Sequence, residues 1–455
     1  AYAAGMSSAQ PSERASAAPS AEAAPGARLY RHLGAAVDIG TTTIAAVLYR
    51  EGRAVGTMGA WNPQSVFGAD VISRMEASLE GKAGKLAAIV REAVSRLLTE
   101  LAEHAGESAE AIETVIITGN TSMLYFLTQK DPRCLSRAPF EADELFGWWT
   151  IGEALDLSCR KADVYLPRCM SAFVGADITT AILGSGLTET DCIPGAEGSR
   201  KEVAAAIDPN VSCRETDGVS AAYSGKSRMM VDVGTNGEIV LFHKERLICC
   251  ATAAGPAFEG AGLSCGMRGV AGAIDHVSWE NGSWKVHVIG DREASTAEGI
   301  CGSGVIDGVA GLLESGLLED TGYLEEDVCF AGNVGLTAAD IREVQLAKGA
   351  IRAGMETLLA EEKMDAAGLE GLYVAGGFGS YMSAKSAERI GLFPKIDLSR
   401  IKICGNAALA GAVKILHDRR MEKEATALAE RAKTINLGSS AKFQEFYMKY
   451  MMFDE

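Results

Sequence analysis

Apolar residues fall into two patterns along the chain. The first is a set of short runs that end in Asp, a residue, then Gly. Ala35–Gly40 (AAVDIG) is followed by three threonines and then by the apolar stretch Ile44–Tyr49. This predicts a strand hairpin with a polar tip, and the turn at Glu51-Gly52 leads into a third strand. The same arrangement returns at Met229–Gly234 (MMVDVG). There Thr235–Glu238 stand where the threonines stood and Ile239–Phe242 form the second strand, with Asp232 following Asp38 by 194 residues. An internal repeat of this kind predicts two domains of similar core topology facing each other. The second pattern is helical. Leu86, Ile89, Val90, Val94, Leu97, Leu98 and Leu101 share one face over 83–105. Helical spacing also predicts helices at Ser122–Thr128, 171–184, Ile300–Ser315, Arg342–Leu359 and 406–433. Two further strands, Glu113–Gly119 and Leu372–Ala375, each run into a glycine turn.

Between these periodic segments lie two stretches without periodicity. The N-terminal one is Ala, Ser, Pro and Glu with almost no large apolar side chain, so it cannot offset the entropy of ordering. Residues 1–30 are therefore expected to be a tail or linker, with organised structure starting near Leu33. Residues 187–227 hold prolines, glycines and charges and read as a surface excursion at the domain junction. The expected division is a first lobe over 31–186, a second lobe over 228–410, and a C-terminal helix and closing segment over 411–455 that packs back on the first lobe. The aromatic run at the end, Phe443 to Phe453, reads as packing.

Composition narrows the function. Of 455 residues, 43 are Lys or Arg and 60 are Asp or Glu, a net charge of −17, with no basic stretch. That argues against nucleic acid as a partner. No apolar run reaches the ~20 residues needed to cross a bilayer. The 11 cysteines are scattered singly except for Cys249-Cys250, with no CxxC pair. An odd count without an export signal predicts reduced thiols in the cytoplasm. The 51 glycines exceed the usual share and cluster at the strand ends.

Those clusters carry the chemistry. At the first hairpin tip, Gly40, Thr41, Thr42 and Thr43 are small enough for backbone N–H groups and hydroxyls to surround an anion. Asp38 at the strand end can hold Mg²⁺ directly or through water. Gly234, Thr235, Asn236, Gly237 and Glu238 repeat the design beside Asp232. Two such tips in one chain imply closure on one ligand from opposite domains. Neither is a P-loop, because GxxxxGK[ST] is absent, and neither is a dinucleotide fingerprint, because strand-turn-strand replaces strand-turn-helix. At Gly376, Gly377 and Gly379 a strand enters a glycine turn, which permits close approach of an adenosine or its α-phosphate.

The set resembles the actin, sugar kinase and Hsp70 superfamily. That resemblance implies an α/β fold of two ribonuclease-H-like lobes with mixed sheets and a nucleotide cleft between them. Asp38–Thr43 and Asp232–Glu238 look like its two phosphate loops and Gly376–Gly379 like its adenosine motif. Gly175-Ala176-Asp177 and Gly405–Ala412 look like its two connecting helices. A narrower resemblance covers nearly everything from residue 34 onward. Asn62–Met75, Gly119–Met123, Ala254–Gly260 with Cys265-Gly266-Met267, and Gly299–Gly304 look like the ATPase part of reductive activators of corrinoid proteins. This adds Asn120, Thr121, Gly302 and Gly304 to the expected nucleotide-binding residues.

The resemblance implies ATP and Mg²⁺ as cofactors and an ATP-driven conformational change that helps return Co(II) corrinoid to Co(I) for a methyltransferase system. Asp38 and Asp232 are expected nearest the metal. Thr41, Thr42, Thr235 and Asn236 would hold the β- and γ-phosphates. Glu238 or Asp232 would orient the attacking water. A corrinoid protein is the expected partner, and a homodimer the expected assembly. The chain departs from the family in its cysteines: those at 249, 250, 265, 301, 329 and 404 lack cluster spacing. No iron–sulfur cluster is expected in this chain, so the electron donor would be a separate protein or a domain upstream. Cys265 and Cys301 are expected to fill tight space beside glycine, the alternative being a thiol near the corrinoid or a redox site. Alternatives on the same fold are a small-molecule kinase and a chaperone-like remodelling ATPase.

Overall fold

A computed structural model describes residues 28–189, 227–290, 292–376 and 382–453. The first lobe is built on β1 (Leu33–Ile39), β2 (Thr43–Arg50), β3 (Arg53–Trp61), β4 (Ile112–Gly119), β5 (Trp148–Ile151) and β6 (Asp163–Leu166). Its helices are α1 (Val71–Ala77), α2 (Ala83–His104), α3 (Thr121–Thr128), α4 (Arg133–Ser136) and α5 (Ala176–Ser185). The six strands form one mixed sheet in the order β3-β2-β1-β4-β6-β5. β1 runs antiparallel to β2, with Asp38 opposite Ala45, and parallel to β4.

The second lobe repeats this plan. It contains β7 (Ser227–Val233), β8 (Gly237–His243), β9 (Arg246–Thr252), β10 (Ala273–Glu280), β11 (Ser283–Val288), β12 (Gly299–Ile300), β13 (Val328–Ala331), β14 (Val334–Leu336), β15 (Gly371–Ala375), β16 (Ile401–Gly405) and β17 (Lys433–Thr434). Its main sheet has the order β16-β15-β7-β8-β9-β17. β7 pairs antiparallel with β8 and parallel with β15, matching β1 with β2 and β4. The helices are α6 (Gly302–Ser315), α7 (Ala338–Glu361), α8 (Ala384–Arg389), α9 (Ala407–His417), α10 (Arg420–Arg431) and α11 (Ala441–Tyr450). The chain therefore has the two lobes of similar core topology expected from the repeat, each with the mixed sheet that the actin-like resemblance implies.

Each lobe buries its own core, and a third core joins them. Ala36, Val47 and Ile116 from the first sheet and Met230, Val240 and Tyr373 from the second bury against Ile178, Ile182, Leu409 and Val413 of α5 and α9. These two helices form a layer between the sheets. They cross at glycines: a Cβ at Gly184 would stand 2.1 Å from the Ala407 carbonyl oxygen, and one at Gly411 would stand 1.8 Å from that of Thr180. Only side chains without a Cβ allow this approach.

Several boundaries differ from the periodicity. Structure begins before Leu33, because Leu29 donates its N–H to the Leu416 carbonyl and Tyr30 is buried. The helix expected over 171–184 starts at Ala176, since residues 171–175 bend to bring Gly175 against Asn120. The helix expected from Ile300 starts at Gly302, because Gly299 and Ile300 pair with β10. Helix α7 extends the expected Arg342–Leu359 at both ends, its start fixed by a Thr337–Asp340 capping box. The 406–433 helix breaks in two at Asp418, which accepts hydrogen bonds from Arg420. The C-terminal segment is also divided. α9 and α10 pack on α5, whereas α11 packs on α7 of the second lobe, with Lys348 donating to the Met452 carbonyl. Residues 1–27, 190–226 and the glycines at 377 and 379 lie outside the described residues. Among the described residues no helix is long and apolar enough to cross a membrane.

Candidate functional site

The two hairpin tips face each other across a cleft of about 900 Å³. Each tip is closed by its own backbone: Gly40 N–H donates to the Thr43 carbonyl at 2.9 Å and Gly234 N–H to that of Asn236 at 3.0 Å. Asp38, Gly40, Thr41, Thr42 and Thr43 line the cleft from the first lobe. Asp232, Gly234, Thr235, Asn236 and Glu238 line it from the second, and Asn120, Gly302 and Gly376 line it as well. Thus thirteen of the expected residues converge. Three others are placed differently. Thr121 is buried and donates to the Ser171 carbonyl at 2.7 Å. Gly237 is packed beneath its loop against Ile351 and Thr252, and Gly304 against the Ile274 carbonyl. These act on the cleft through its supports rather than its wall.

Local folding explains the convergence. The tip at Gly40 is braced by Asn62, which is 1 % exposed. Its side-chain amide donates to the Gly40 carbonyl at 2.8 Å and its N–H to the Thr42 carbonyl at 2.9 Å. Asn120 caps α3 and also donates to Thr41 Oγ1 at 3.2 Å. Asn406 caps α9 and donates to Asp38 Oδ2 at 2.9 Å, tying the second lobe's helix to the first lobe's acid. Gly376 has φ +96°, and a Cβ there would stand 2.7 Å from Asp232 Oδ1, so the glycine turn is pressed against the second acid.

The electrostatics are lopsided. Burial pushes the Asp38 carboxyl up to about 6, against a lowering hydrogen bond from Asn406. Burial, and then the charges of Asp38 and Glu259, push Asp232 up to about 7. Asp177 at the start of α5 is raised well above the usual range by burial and by Asp38 and Asp232. Glu238 is raised in the same way, by burial, Asp177 and Asp232. Four acids held this close in low dielectric resist ionisation together. A divalent cation among them would offset that charge. Among the described residues no three His, Cys, Asp or Glu side chains converge tightly enough to hold a metal. Mg²⁺ held mainly by phosphate and water would need only one or two carboxylates.

Sequence reasoning missed several cleft residues. Asp177 was visible as part of Gly-Ala-Asp, and Asn406 as the polar residue before an apolar helix. Glu259, in the glycine-rich Ala254–Gly260 stretch, is a residue the sequence offers as a contact of nucleotide or partner, and it lines the cleft. Trp61, Arg268 and Ser303 line it as well, with no spacing that marks them, because they reach it through tertiary packing. Cys301 lines the cleft at the start of α6, 6 % exposed, with its Sγ 3.3 Å from Ser303 Oγ. Cys265 contacts the Asn333 carbonyl at 3.5 Å. Cys265 and Cys301 are thiols outside any disulfide.

Comparison with known proteins follows this geometry closely. Residues 226–455 match the family model for the C-terminal domain of RACo, the ASKHA domain, and residues 33–190 match the RACo middle region. The corrinoid activation enzyme RamQ of Eubacterium limosum is 30% identical over 460 residues, which covers 93% of this chain and 70% of that protein. The [Co(II) methylated amine-specific corrinoid protein] reductase of Methanosarcina barkeri is 32% identical over 243 residues, 48% of this chain and 45% of that one. Among solved structures, a reductive activator for corrinoid,iron-sulfur protein matches with a TM-score of 0.78 and 31% identity, over 93% of this chain and 66% of the other. The chain thus spans part of the length of each of these relatives.

Proposed function

The chain belongs to the RACo family, and from that premise we propose that it binds ATP with Mg²⁺ between its lobes and uses hydrolysis to activate a corrinoid protein. The carrying observation is the pair of Asp-x-Gly-Thr hairpins, one from each lobe, meeting across an acid-lined cleft. The relatives named for corrinoid activation support the partner. They favour this reading over a small-molecule kinase or a remodelling ATPase.

The residues divide the work. Thr41, Thr42, Thr235 and Asn236 present hydroxyls, an amide and backbone N–H groups to the β- and γ-phosphoryl oxygens. Asp38 and Asp232 hold the metal directly or through its waters, and Glu238 or Asp232 orients the attacking water. Gly376 turns the chain close against Asp232 and would border the nucleoside end. Bound Mg²⁺ supplies positive charge to the developing phosphoryl charge. Because α5 and α9 start at the cleft and lie between both sheets, closure on the nucleotide is transmitted as lobe rotation. The partner's cobalt then accepts one electron, Co(II) to Co(I), from a low-potential iron–sulfur donor that is separate or upstream. A cytoplasmic homodimer completes the proposal.

The test is Co(I) formation, followed by the corrinoid absorption spectrum, with cognate corrinoid protein, reductant and MgATP. Hydrolysis with no ATP-dependent Co(I) would defeat the corrinoid role. Absence of MgATP binding in calorimetry would defeat the nucleotide reading as well.

A further inference from the structure

One carboxylate bridges the two phosphate hairpins, and neither hairpin supplies it. Glu259 ends the short turn Ala257–Glu259 in the second lobe. Its Oε2 accepts a hydrogen bond from Thr42 Oγ1 of the first lobe at 2.8 Å. Its Oε1 accepts the Thr235 backbone N–H at 2.8 Å. The same Oε1 stands 3.4 Å from where a Cβ at Gly234 would be, so it lies directly beside the second tip. A hydroxyl from one tip and a main-chain N–H from the other are the donor types that bind phosphoryl oxygens. Here an internal anion already holds both.

This placement is costly in charge. Glu259 adds its charge to a cleft whose lining also contains Asp38, Asp177, Asp232, Glu238 and Asp275. Its charge also bears on Asp232. A carboxylate there is tolerated because two charge-assisted hydrogen bonds compensate it. The cation in electrostatic contact with it, Arg268, is turned aside, its guanidinium carbon 2.9 Å from the ring centroid of Trp61 in the opposite lobe.

We propose that Glu259 is an internal stand-in for a nucleotide phosphate. Without nucleotide it joins the lobes through Thr42 and Thr235, and MgATP expels it to reach those donors. The proposal rests on the nucleotide reading above. Expulsion leaves Arg268 as the cation able to receive the carboxylate, so the Arg268–Trp61 contact at the cleft mouth is exchanged as the phosphate enters. ATP binding is thereby taxed by the fraction of molecules that hold the latch.

The experiment is titration calorimetry of the full chain with MgATP, comparing wild type with Glu259→Gln and Glu259→Ala. Gln keeps the shape of the side chain and loses its charge, so it remains informative if Ala does not fold. Removing the competing carboxylate should tighten the MgATP Kd by about fivefold or more, the inverse of the competent fraction. A wild type that binds no MgATP overturns the nucleotide reading itself. A wild type that binds it, with variants that bind equally or more weakly, overturns the stand-in alone and makes Glu259 a contact of the bound nucleotide.

Discussion

Gly411→Ala is a substitution that an isolated helix would favour. Alanine exceeds glycine by about 1 kcal/mol in a helix interior, and Gly411 lies inside α9. The fold reverses that preference. The new Cβ would stand 1.8 Å from the Thr180 carbonyl oxygen and 2.9 Å from its Cα, both backbone atoms of α5. Ordinary contact needs roughly 3.5 Å, so α5 and α9 would have to separate by about 1.7 Å. These helices fill the space between both sheets, where Ile178, Ile182, Leu409 and Val413 are buried. Overpacking of this kind costs about 1–3 kcal/mol and sometimes more. A backbone clash belongs at the upper end, so about 2 kcal/mol remains after the propensity gain. At about 2 °C per kcal/mol for a large domain, the melting temperature should fall by about 4 °C. Calorimetric melting would measure this beside Gly84→Ala. Gly84 is an exposed glycine of α2 whose Cβ would meet nothing nearer than the Gln129 side chain at 3.7 Å. That control should melt at or above wild type. If Gly411→Ala does so too, the close helix crossing is not the joint between the lobes.

Asp38 and Asp232 carry carboxyls raised to about 6 and about 7, above their unfolded values. Their stability contribution is therefore present below about pH 4 and lost as pH rises through 6 to 7. Nucleotide-free protein should melt lower at pH 8 than at pH 5.5 from this source, and Asp232→Asn should shrink the difference while abolishing MgATP binding. An unchanged pH difference in Asp232→Asn melts would contradict the acid cluster. Asn62→Ala leaves the Gly40 carbonyl and the start of the following turn without their partner. It should cost about 1–3 kcal/mol in melting and weaken MgATP in titration. Cys301→Ala should leave Co(I) formation unchanged, because its thiol packs at a helix start beside Ser303. Loss of electron transfer in the same spectral assay would give that thiol a redox role.

The repeat was legible in the sequence because a sheet strand and a glycine tip are local features. Leu33–Ile39 and Ser227–Val233 begin matched halves, and the strand orders of the two sheets follow from them. The cleft acids Asp38, Asp232 and Glu238 were legible for the same reason. Glu259 was legible only as a residue able to touch nucleotide or partner, and Arg268 not at all, since each meets its partners across 217 and 207 residues of chain, through Thr42 and Trp61. Helix starts were misplaced where a tertiary constraint overrides periodicity. Gly299-Ile300 is helical by spacing but pairs with β10. Residues 171–175 bend because Gly175 must clear the Asn120 backbone. The split of the C-terminal segment was likewise invisible, because its helices differ in which lobe they face and not in their periodicity.

The geometry also explains why one cleft can govern the relation of two large lobes. Asp177 sits in the first turn of α5, and Asn406 caps α9 while holding Asp38. Both interlobe helices therefore start at the acids whose charge a bound cation would alter. Each helix is rigid, and their glycine crossing admits little sliding, because Gly184 and Gly411 already touch opposing backbone. In the proposed mechanism, a charge change at the helix starts would pass to the pair as a rotation, because the crossing leaves little room for sliding. α10 continues from α9 and reaches the first lobe again, where Trp149 Nε1 donates to Glu422 at 3.1 Å. Such a rotation would reach the first lobe through that contact as well. Coupling in this chain requires no dedicated relay beyond two packed helices whose starting residues are also cleft residues.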